Sequence, residues 1–135
     1  MTGMCDLHTH STASDGSLTP TELIRAAEAI GLDAIALCDH NTVSGLPEFL
    51  AEAEKQGVRA IPGIEFSTEY RGKELHILGL FLEEEHYDAI NALLEEALQQ
   101  GAAGIAHADS PAGQTVDGSI KVVQTDEGAA LEVVM

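Results

Sequence analysis

Basic residues are scarce in this sequence, and their scarcity excludes one broad class of function. The 135 residues contain six Lys and Arg against 23 Asp and Glu, which gives a net charge of −17. A surface of this charge repels the phosphate backbone, so extended nucleic-acid binding is excluded as the main mode of action. Bound divalent cations would offset part of the charge, although solubility alone also explains many of the carboxylates.

Long apolar runs and cysteines are also few. No apolar run approaches the roughly 20 residues that a membrane-spanning helix needs, and the N-terminus lacks the basic and apolar regions of a signal peptide. We therefore expect a cytoplasmic protein with no membrane partner. Two cysteines, Cys5 and Cys38, are too few for a disulfide framework. Strand alternation places them on different faces, and we interpret both as buried thiols.

The order of the apolar patterns predicts an α/β fold in a single domain over residues 1–135. Thr19, Pro20 and Glu22 form a helix start with a capping box, and Gly31 marks the end of that helix. The patterns predict strands at 4–8, 33–40, 59–67 and 74–82, with a turn at Arg71-Gly72 between the last two, and helices at 19–32, 47–57 and 84–100. This alternation is typical of a parallel sheet or barrel with helices outside. Beyond residue 100 we predict mostly loop, followed by a β-hairpin at 119–134.

Imidazoles and carboxylates recur where these strands end. The stretch "CDLHTHSTASDG" ends the first strand, "CDHN" ends the second, Glu65 ends the third, and the fourth carries a histidine. The carboxyl ends of parallel strands are where such folds build their sites. The candidate metal ligands are therefore His8, His10, Asp15, His40, Glu65 and His76.

Nitrogen and carboxylate ligands together suit Zn²⁺, Mn²⁺ or Fe²⁺. Glu65 can bridge two ions, and Asp15 with His40 could hold the second. Water bound between two such ions becomes a nucleophile near neutral pH. Other interpretations stay open: Asp15 could belong only to a turn, and His76 could be a buried structural histidine. Asp6 and Asp39 are interpreted as partners that orient histidines, and His86 as a surface residue.

Four stretches of the sequence resemble the successive motifs of the PHP family, the polymerase and histidinol phosphatase domains. They are "DLHTHSTASDGSLTPTEL", "AIALCDHNT", "IPGIEFSTEY" and "ELHILGL", and the resemblance covers about residues 4–100. It implies a distorted (β/α)7 barrel that holds two or three divalent metal ions, Mn²⁺, Zn²⁺ or Fe²⁺. The roles it implies place His8 and His10 on one ion, Asp15 and His40 on a second, Glu65 between them, and His76 on a further ion.

The implied reaction is hydrolysis of a phosphate ester by metal-activated water, with Asp15, His40 and Glu65 as the catalytic residues. The family members that this sequence resembles most are bacterial stand-alone phosphoesterases that act on nucleotides or short oligonucleotides. An amidohydrolase-type enzyme also uses His-X-His at its first strand, but the "SDG" and "CDHN" stretches favour the PHP family.

The sequence departs from the PHP pattern after residue 100. PHP domains usually exceed two hundred residues and end in an Asp-X-His pair that is missing here, while His107 and Asp109 resemble a later family motif only loosely. We therefore expect part of the barrel, with residues 101–135 divergent. An alternative function is a catalytically impaired, metal-binding PHP remnant that serves as a structural or interaction module. An incomplete barrel exposes apolar surface, which predicts self-association as a homodimer.

Overall fold

The computed structural model describes residues 3–70, 73–99, 105–108, 119–125 and 128–134. Strands and helices alternate through the first half of the chain, and strands predominate after residue 100. The elements are β1 Cys5–Thr9, α1 Pro20–Ile30, β2 Ala34–Leu37, α2 Leu46–Gln56, β3 Arg59–Tyr70, β4 Lys73–Leu80, a short 3-10 helix Glu84–His86, α3 Tyr87–Gln99, β5 Ile105–Ala108, β6 Ser119–Thr125 and β7 Gly128–Val134.

The chain forms two compact units. The first falls within residues 1–65 and 78–87, and the second within residues 66–77 and 88–135. Strands β3 and β4 each contribute residues to both units. The interpretation of residues 1–135 as one domain stays a prediction.

The first unit contains the predicted parallel sheet. Strand β1 pairs with β2, and β2 pairs with β3, both in parallel. Because parallel neighbours need a crossover connection, helices α1 and α2 supply one each, and the two helices pack against each other. The β1–β2 register shifts between Asp6 and Thr9. The predicted βαβαβ order is therefore present in this unit.

Helix α1 begins and ends where its sequence predicts. The Thr19 side chain accepts a hydrogen bond from the Glu22 backbone, and the Glu22 side chain accepts one from the Thr19 backbone. Gly31 ends the helix in the left-handed conformation with φ 75°, which a residue without a Cβ adopts at low cost. Gly57 ends α2 in the same way with φ 71°. Local capping chemistry thus sets both crossover helices.

Strand β2 is the centre of the core of this unit. All four of its residues are buried, as the continuous apolar pattern predicts for a strand covered on both faces. Ala34, Ala36, Cys38 and Ile61 form one buried cluster, and Leu80 packs against it. Both cysteines are free, which agrees with their assignment to different faces. The expectation that both are buried is wrong for Cys5, which lies on the exposed part of β1.

The second unit contains the later strands. Strand β5 pairs in parallel with the end of β3, β7 pairs in parallel with β5, and β6 pairs with β7 in antiparallel orientation. The hairpin predicted at 119–134 is confirmed. Strand β5 lies in the segment predicted to be mostly loop, where Gly and Ala obscure the strand pattern. Within the described part of the chain, no helix has the length and apolar character required to cross a membrane.

One neighbouring pair of strands departs from the predicted parallel arrangement. Strand β4 pairs with β3, and only residues 71 and 72 separate the two strands. A parallel crossover needs a dozen or more residues, so a connection of this length joins antiparallel strands. The turn predicted at Arg71-Gly72 lies outside the described residues. The helix predicted at 84–100 begins as a 3-10 helix at Glu84 and becomes α-helical at Tyr87.

Candidate metal centre

The ends of β1 and β2 and the middle of β3 bring the predicted residues together in the first unit. The sequence predicts that the third strand ends at Glu65, but β3 continues to Tyr70. His40 forms a parallel bridge with Glu65. The Glu65 N–H donates to the Asp39 carbonyl at 3.1 Å, and the Asn41 N–H donates to the Glu65 carbonyl at 2.9 Å. On the other side of β2, the Cys38 N–H donates to the Thr9 carbonyl at 2.8 Å. The sheet therefore fixes where His10, His40 and Glu65 leave the backbone.

One carboxylate oxygen lies at the centre of this cluster. Glu65 Oε2 is 3.1 Å from His8 Nε2, 3.1 Å from His10 Nε2 and 3.4 Å from His40 Nε2. The Glu65 side chain is 7% exposed, whereas that of His8 is 48% exposed. The cluster thus has a buried acidic centre, with one imidazole on its solvent side.

A second carboxylate reaches the same imidazoles from the loop after β1. Asp15 Oδ2 lies 3.4 Å from His40 Nε2, and Asp15 Oδ1 lies 3.6 Å from His10 Nδ1. His8, His10 and Glu65 each offer a ligand atom, and these atoms lie within 4.8 Å of one another. The same is true of His10, Asp15 and His40. Two candidate ion positions therefore share His10.

The imidazole rings are packed closely. The rings of His10 and His40 are stacked, with centroids 4.5 Å apart and an interplanar angle of 15°. The rings of His8 and His10 are tilted by 51°, with centroids 5.0 Å apart. His10 Nδ1 is buried and makes no hydrogen bond to any residue that the structure describes. A buried ring nitrogen of this kind needs a partner.

This arrangement fits a divalent cation by the chemistry of its donors. A carboxylate oxygen has about two lone-pair directions, so hydrogen bonds alone do not satisfy three imidazole nitrogens around Glu65 Oε2. Neutral imidazoles and carboxylates are the ligand types that Zn²⁺, Mn²⁺ and Fe²⁺ bind. His10 Nδ1, which lies 3.6 Å from Asp15 Oδ1 without a hydrogen bond, adds a further donor. His8, His10, Asp15, His40 and Glu65 are therefore suited to hold such ions, and their assignment as ligands stays a prediction.

The loop that carries Asp15 is closely packed against the end of β1. The Gly16 N–H donates to the Ser11 carbonyl at 2.8 Å. A Cβ at Gly16 would lie 2.1 Å from the His10 carbonyl oxygen, so the loop accepts only glycine there without moving. The turn considered as an alternative for Asp15-Gly16 is present, and the same turn places Asp15 beside His10 and His40.

The remaining candidates have different surroundings. His76 lies in the part of β4 that belongs to the second unit, where its Nε2 is 2.5 Å from Glu74 Oε1. It is exposed, which disagrees with the buried structural histidine considered as an alternative. Its role as a ligand rests on the family resemblance. His86 is exposed, as predicted. The backbone of His107 lies in β5, and Asp109 is outside the described residues.

The two additional aspartates bind backbone and hydroxyl groups. Asp6 Oδ1 accepts a hydrogen bond from the His8 N–H at 3.2 Å. Asp39 accepts from the Ser11 N–H at 2.6 Å, from Ser11 Oγ at 2.7 Å and from Ser14 Oγ at 2.7 Å. The sequence analysis missed the two serines. Their position between His10 and Asp15 was the available signal.

Cys38 lies beside the cluster as a neutral thiol. Its burial, followed by the nearby charge of Glu65, raises the pKa of the thiol to about 11. A Cβ at Gly63 would lie 2.8 Å from Cys38 Sγ, so the absence of a side chain there makes room for the sulfur. Cys38 packs as a small apolar residue, as its sequence position predicts.

Comparison with known proteins identifies the family. The PHP domain model matches residues 6–124. The chain belongs to the PHP family. The predicted recognition is confirmed, and the match extends past residue 100, where the motif resemblance ends. The PHP chain shows the predicted α/β fold class, and its parallel strands β1–β3 are connected by helices.

Two curated relatives and one solved structure illustrate the similarity. The chain is 46% identical over 95 residues to a 5'-3' exoribonuclease of Haemophilus influenzae, covering 70% of this chain and 34% of the relative. It is 44% identical over 75 residues to a 3',5'-nucleoside bisphosphate phosphatase of Chromobacterium violaceum, and this match covers 56% of this chain and 26% of the relative. A Chromobacterium violaceum structure described as an amidohydrolase matches with a TM-score of 0.65 and 38% identity. This match covers 70% of this chain and 33% of the matched chain. The chain therefore spans about a quarter to a third of the length of these proteins.

Proposed function

We propose that this PHP chain carries the metal centre of a phosphoesterase that hydrolyses a phosphate ester of a nucleotide, an oligonucleotide or a small phosphomonoester. The observation that carries the proposal is the position of Glu65 Oε2, which lies within 3.4 Å of the Nε2 atoms of three histidines. A buried carboxylate among imidazoles, with a second carboxylate at the rim, is the donor set that a hydrolytic metal centre needs.

The cofactors in this proposal are two or three divalent ions, Mn²⁺, Zn²⁺ or Fe²⁺. His8 and His10 would hold one ion with Glu65, and Asp15 and His40 would hold a second, with Glu65 between them. His76 is proposed as a ligand of a further ion. When bound, such ions lower the pKa of coordinated water and offset the charge of phosphate oxygens.

The protein side chains have separate roles in this proposal. The buried Glu65 fixes the three imidazoles around one oxygen, which keeps their Nε2 atoms directed to the same place. Asp15, whose side chain is 66% exposed, would orient an incoming water or phosphate ester from the solvent side. His40, stacked on His10 and 24% exposed, lies between the buried and the exposed carboxylate, with its Nε2 3.4 Å from an oxygen of each, and would hold the second ion there.

The substrate class is proposed from the relatives and from the charge of the chain. One relative is named a nucleoside bisphosphate phosphatase and another a 5'-3' exoribonuclease. Both names describe phosphate esters of nucleotides. The net charge of −17 disfavours a long basic groove, so we propose that a nucleotide or the end of a short oligonucleotide binds rather than an extended strand. The cytoplasmic location and the homodimer stay predictions.

A substrate panel tests the proposal. The protein, freed of metal and reloaded with Mn²⁺, is assayed against a phosphomonoester, a phosphodiester, a 3',5'-nucleoside bisphosphate and an amide of similar size. We expect Mn²⁺-dependent hydrolysis of at least one phosphate ester. His8→Ala should remove it, and His86→Ala, which changes an exposed histidine outside the cluster, should not.

The other outcomes separate the alternative functions. Tight Mn²⁺ binding without turnover of any ester would support the metal-binding module that lacks catalysis. Turnover of the amide alone would support the amidohydrolase class, which the description of the matched Chromobacterium violaceum structure also names. Absence of both metal binding and turnover would contradict the proposal.

A further inference from the structure

Asp39 is a buried carboxylate outside the predicted ligand set, and it accepts hydrogen bonds from the loop that carries Asp15. It is 2% exposed. Its Oδ1 accepts from the Ser11 N–H at 2.6 Å and from Ser14 Oγ at 2.7 Å, while its Oδ2 accepts from Ser11 Oγ at 2.7 Å. The Asp39 carboxylate therefore connects the end of β2 to Ser11 and Ser14, which precede it in the sequence by 28 and 25 positions.

Ser11 transmits this contact through the rest of the loop. Ser11 is fully buried, its carbonyl accepts from the Ser14 N–H at 3.1 Å and from the Gly16 N–H at 2.8 Å, and its Oγ accepts from the Ala13 N–H at 3.1 Å. Asp15 lies between Ser14 and Gly16, whose N–H groups both donate to the Ser11 carbonyl. The exposed Asp15 side chain thus has its backbone position set from the buried side of the loop.

Asp39 is also connected through the backbone to His40 and Glu65. It directly precedes His40, and its carbonyl accepts the Glu65 N–H at 3.1 Å. A single residue therefore connects the loop of Asp15, the end of β2 that bears His40 and the backbone of Glu65. The predicted role of Asp39 in orienting histidines stays a prediction beside this role in the loop.

We propose that Asp39 is a positioning residue that, through Ser11 and Ser14, sets Asp15 opposite His40 and thereby sets the divalent-cation affinity of that half of the site. This inference rests on the proposed function, because it assumes that Asp15 and His40 bind an ion. The chemistry requires a carboxylate. Three donors point at Asp39, and an ionised carboxylate offers acceptors only, whereas the amide of asparagine would turn an NH₂ group towards one of them.

Ser14 provides the sharpest test, because it is only partly buried and its removal leaves the Ser11 contacts in place. The full chain is freed of metal, and Mn²⁺ binding is measured by calorimetric titration and by electron paramagnetic resonance of the bound ions. The variants are Ser14→Ala, Ser14→Thr, Asp39→Asn and Ser17→Ala. The last removes an exposed hydroxyl of the same loop and is the matched control.

We expect the wild type to bind at least two Mn²⁺ ions per chain. Ser14→Ala should lower the affinity for one of the two ions by about 10-fold, and Asp39→Asn should lower it by up to about 100-fold. This is the range found when a group that supports a metal ligand is removed. The other ion should keep its affinity, and Ser14→Thr, which restores the hydroxyl, should bind both ions as the wild type does. The resonance signal of coupled Mn²⁺ pairs should fall in Ser14→Ala at metal concentrations that saturate the wild type.

Three results would overturn the inference. Wild-type affinity for both ions in Ser14→Ala would show that the loop contact does not position Asp15. If Ser14→Ala lowered the affinity for both ions equally and also lowered Tm, the contact would have a structural role only. This test uses Ser14→Ala, so it can be made even if Asp39→Asn does not fold. A wild type that binds no Mn²⁺ would overturn the proposed function and this inference together, whereas the first two results leave the proposed function standing.

Discussion

Two glutamates in the first unit are equally buried and have opposite surroundings. The side chains of Glu52 and Glu65 are each 7% exposed. Glu52, on α2, accepts hydrogen bonds from Gln56 Nε2 at 2.9 Å and from Arg25 Nε at 3.0 Å, and Lys55 Nζ lies 3.9 Å away. Glu65 instead lies against three imidazoles. The chain thus supplies permanent cations to one buried acid and imidazoles to the other.

This difference separates a structural carboxylate, Glu52, from Glu65, which we propose as a metal ligand. A buried charge is tolerated when it is paired and hydrogen-bonded. The partners of Glu52 meet that requirement within the helix pair α1–α2, and they hold the pKa of its carboxyl below its ordinary value, the Gln56 hydrogen bond most and the Arg25 hydrogen bond next. Imidazoles bind metal in their neutral form, so in the proposed metal centre a divalent cation would balance the charge of Glu65.

The largest expected effect comes from exchanging each glutamate for glutamine. Glu65→Gln should weaken binding of Mn²⁺ by about 100-fold or more, because a carboxylate at the centre of the cluster is lost. Glu52→Gln should leave Mn²⁺ affinity unchanged. Calorimetric titration of both variants measures this contrast. Equal loss in the two variants would show that burial alone, and not the imidazole surroundings, makes a glutamate important for metal binding.

The second prediction concerns the glycine that lets the Asp15 loop pack. Gly16→Ala places a Cβ against the His10 carbonyl and should cost about 1–3 kcal/mol of stability and weaken Mn²⁺ binding. Gly31→Ala is the matched control: its φ of 75° makes alanine unfavourable by about 1 kcal/mol, but a Cβ there meets no atom within 4 Å. Thermal unfolding and metal titration are measured together. Unchanged metal affinity in Gly16→Ala would contradict the packing of this loop against the site.

The third prediction sharpens the account of Glu52 through pH. Because its pKa is lowered in the fold, Glu52 stabilises the protein above the ordinary pKa of a glutamate, and this contribution is lost as pH falls through the lowered folded value. Arg25→Ala should therefore lower Tm near neutral pH by a few degrees, and the difference from the wild type should shrink in acid. A Tm difference that stays constant down to pH 3 would contradict the ion pair as its cause.

The smallest effect distinguishes the two cysteines. Cys5 is exposed, whereas Cys38 is buried with a thiol pKa of about 11. Since the thiolate is the reactive form, iodoacetamide at pH 8 should modify Cys5 in the folded protein and leave Cys38 unmodified. Mass spectrometry of peptides after labelling measures both sites. In urea the two should react alike, and fast labelling of Cys38 without urea would contradict its burial.

The sequence predicts best the features that depend on neighbouring residues. The capping box at Thr19 and the glycine at residue 31 are local signals, and the structure contains both. The approach of His10 and His40 also follows from a general rule, because parallel strands end at a common edge, whereas Glu65 lies beside His40 within β3. The β3–β4 pair differs from the predicted parallel sheet in direction, because a two-residue connection joins antiparallel strands and the pattern of apolar residues does not report strand direction.

Other features depend on contacts that sequence patterns do not contain. Ser11 and Ser14 bind a carboxylate more than twenty residues away. Their position between His10 and Asp15 points to the site, but nothing in the sequence identifies Asp39 as their partner. Strand β5 consists of Ile, Ala, His and Ala, and its pairing with β3 and β7 determines its conformation more than its own propensity does. The exposure of Cys5 depends on what covers β1, which periodicity alone does not indicate.

The central claim is that His8, His10 and Glu65 hold a divalent cation. The most direct measurement is elemental analysis of the protein purified without added metal or chelator, as the wild type, as the double variant His8→Ala/His10→Ala and as His86→Ala. The account predicts at least one Mn, Zn or Fe ion per chain in the wild type and in His86→Ala, and almost none in the double variant. Full metal content in the double variant would contradict it.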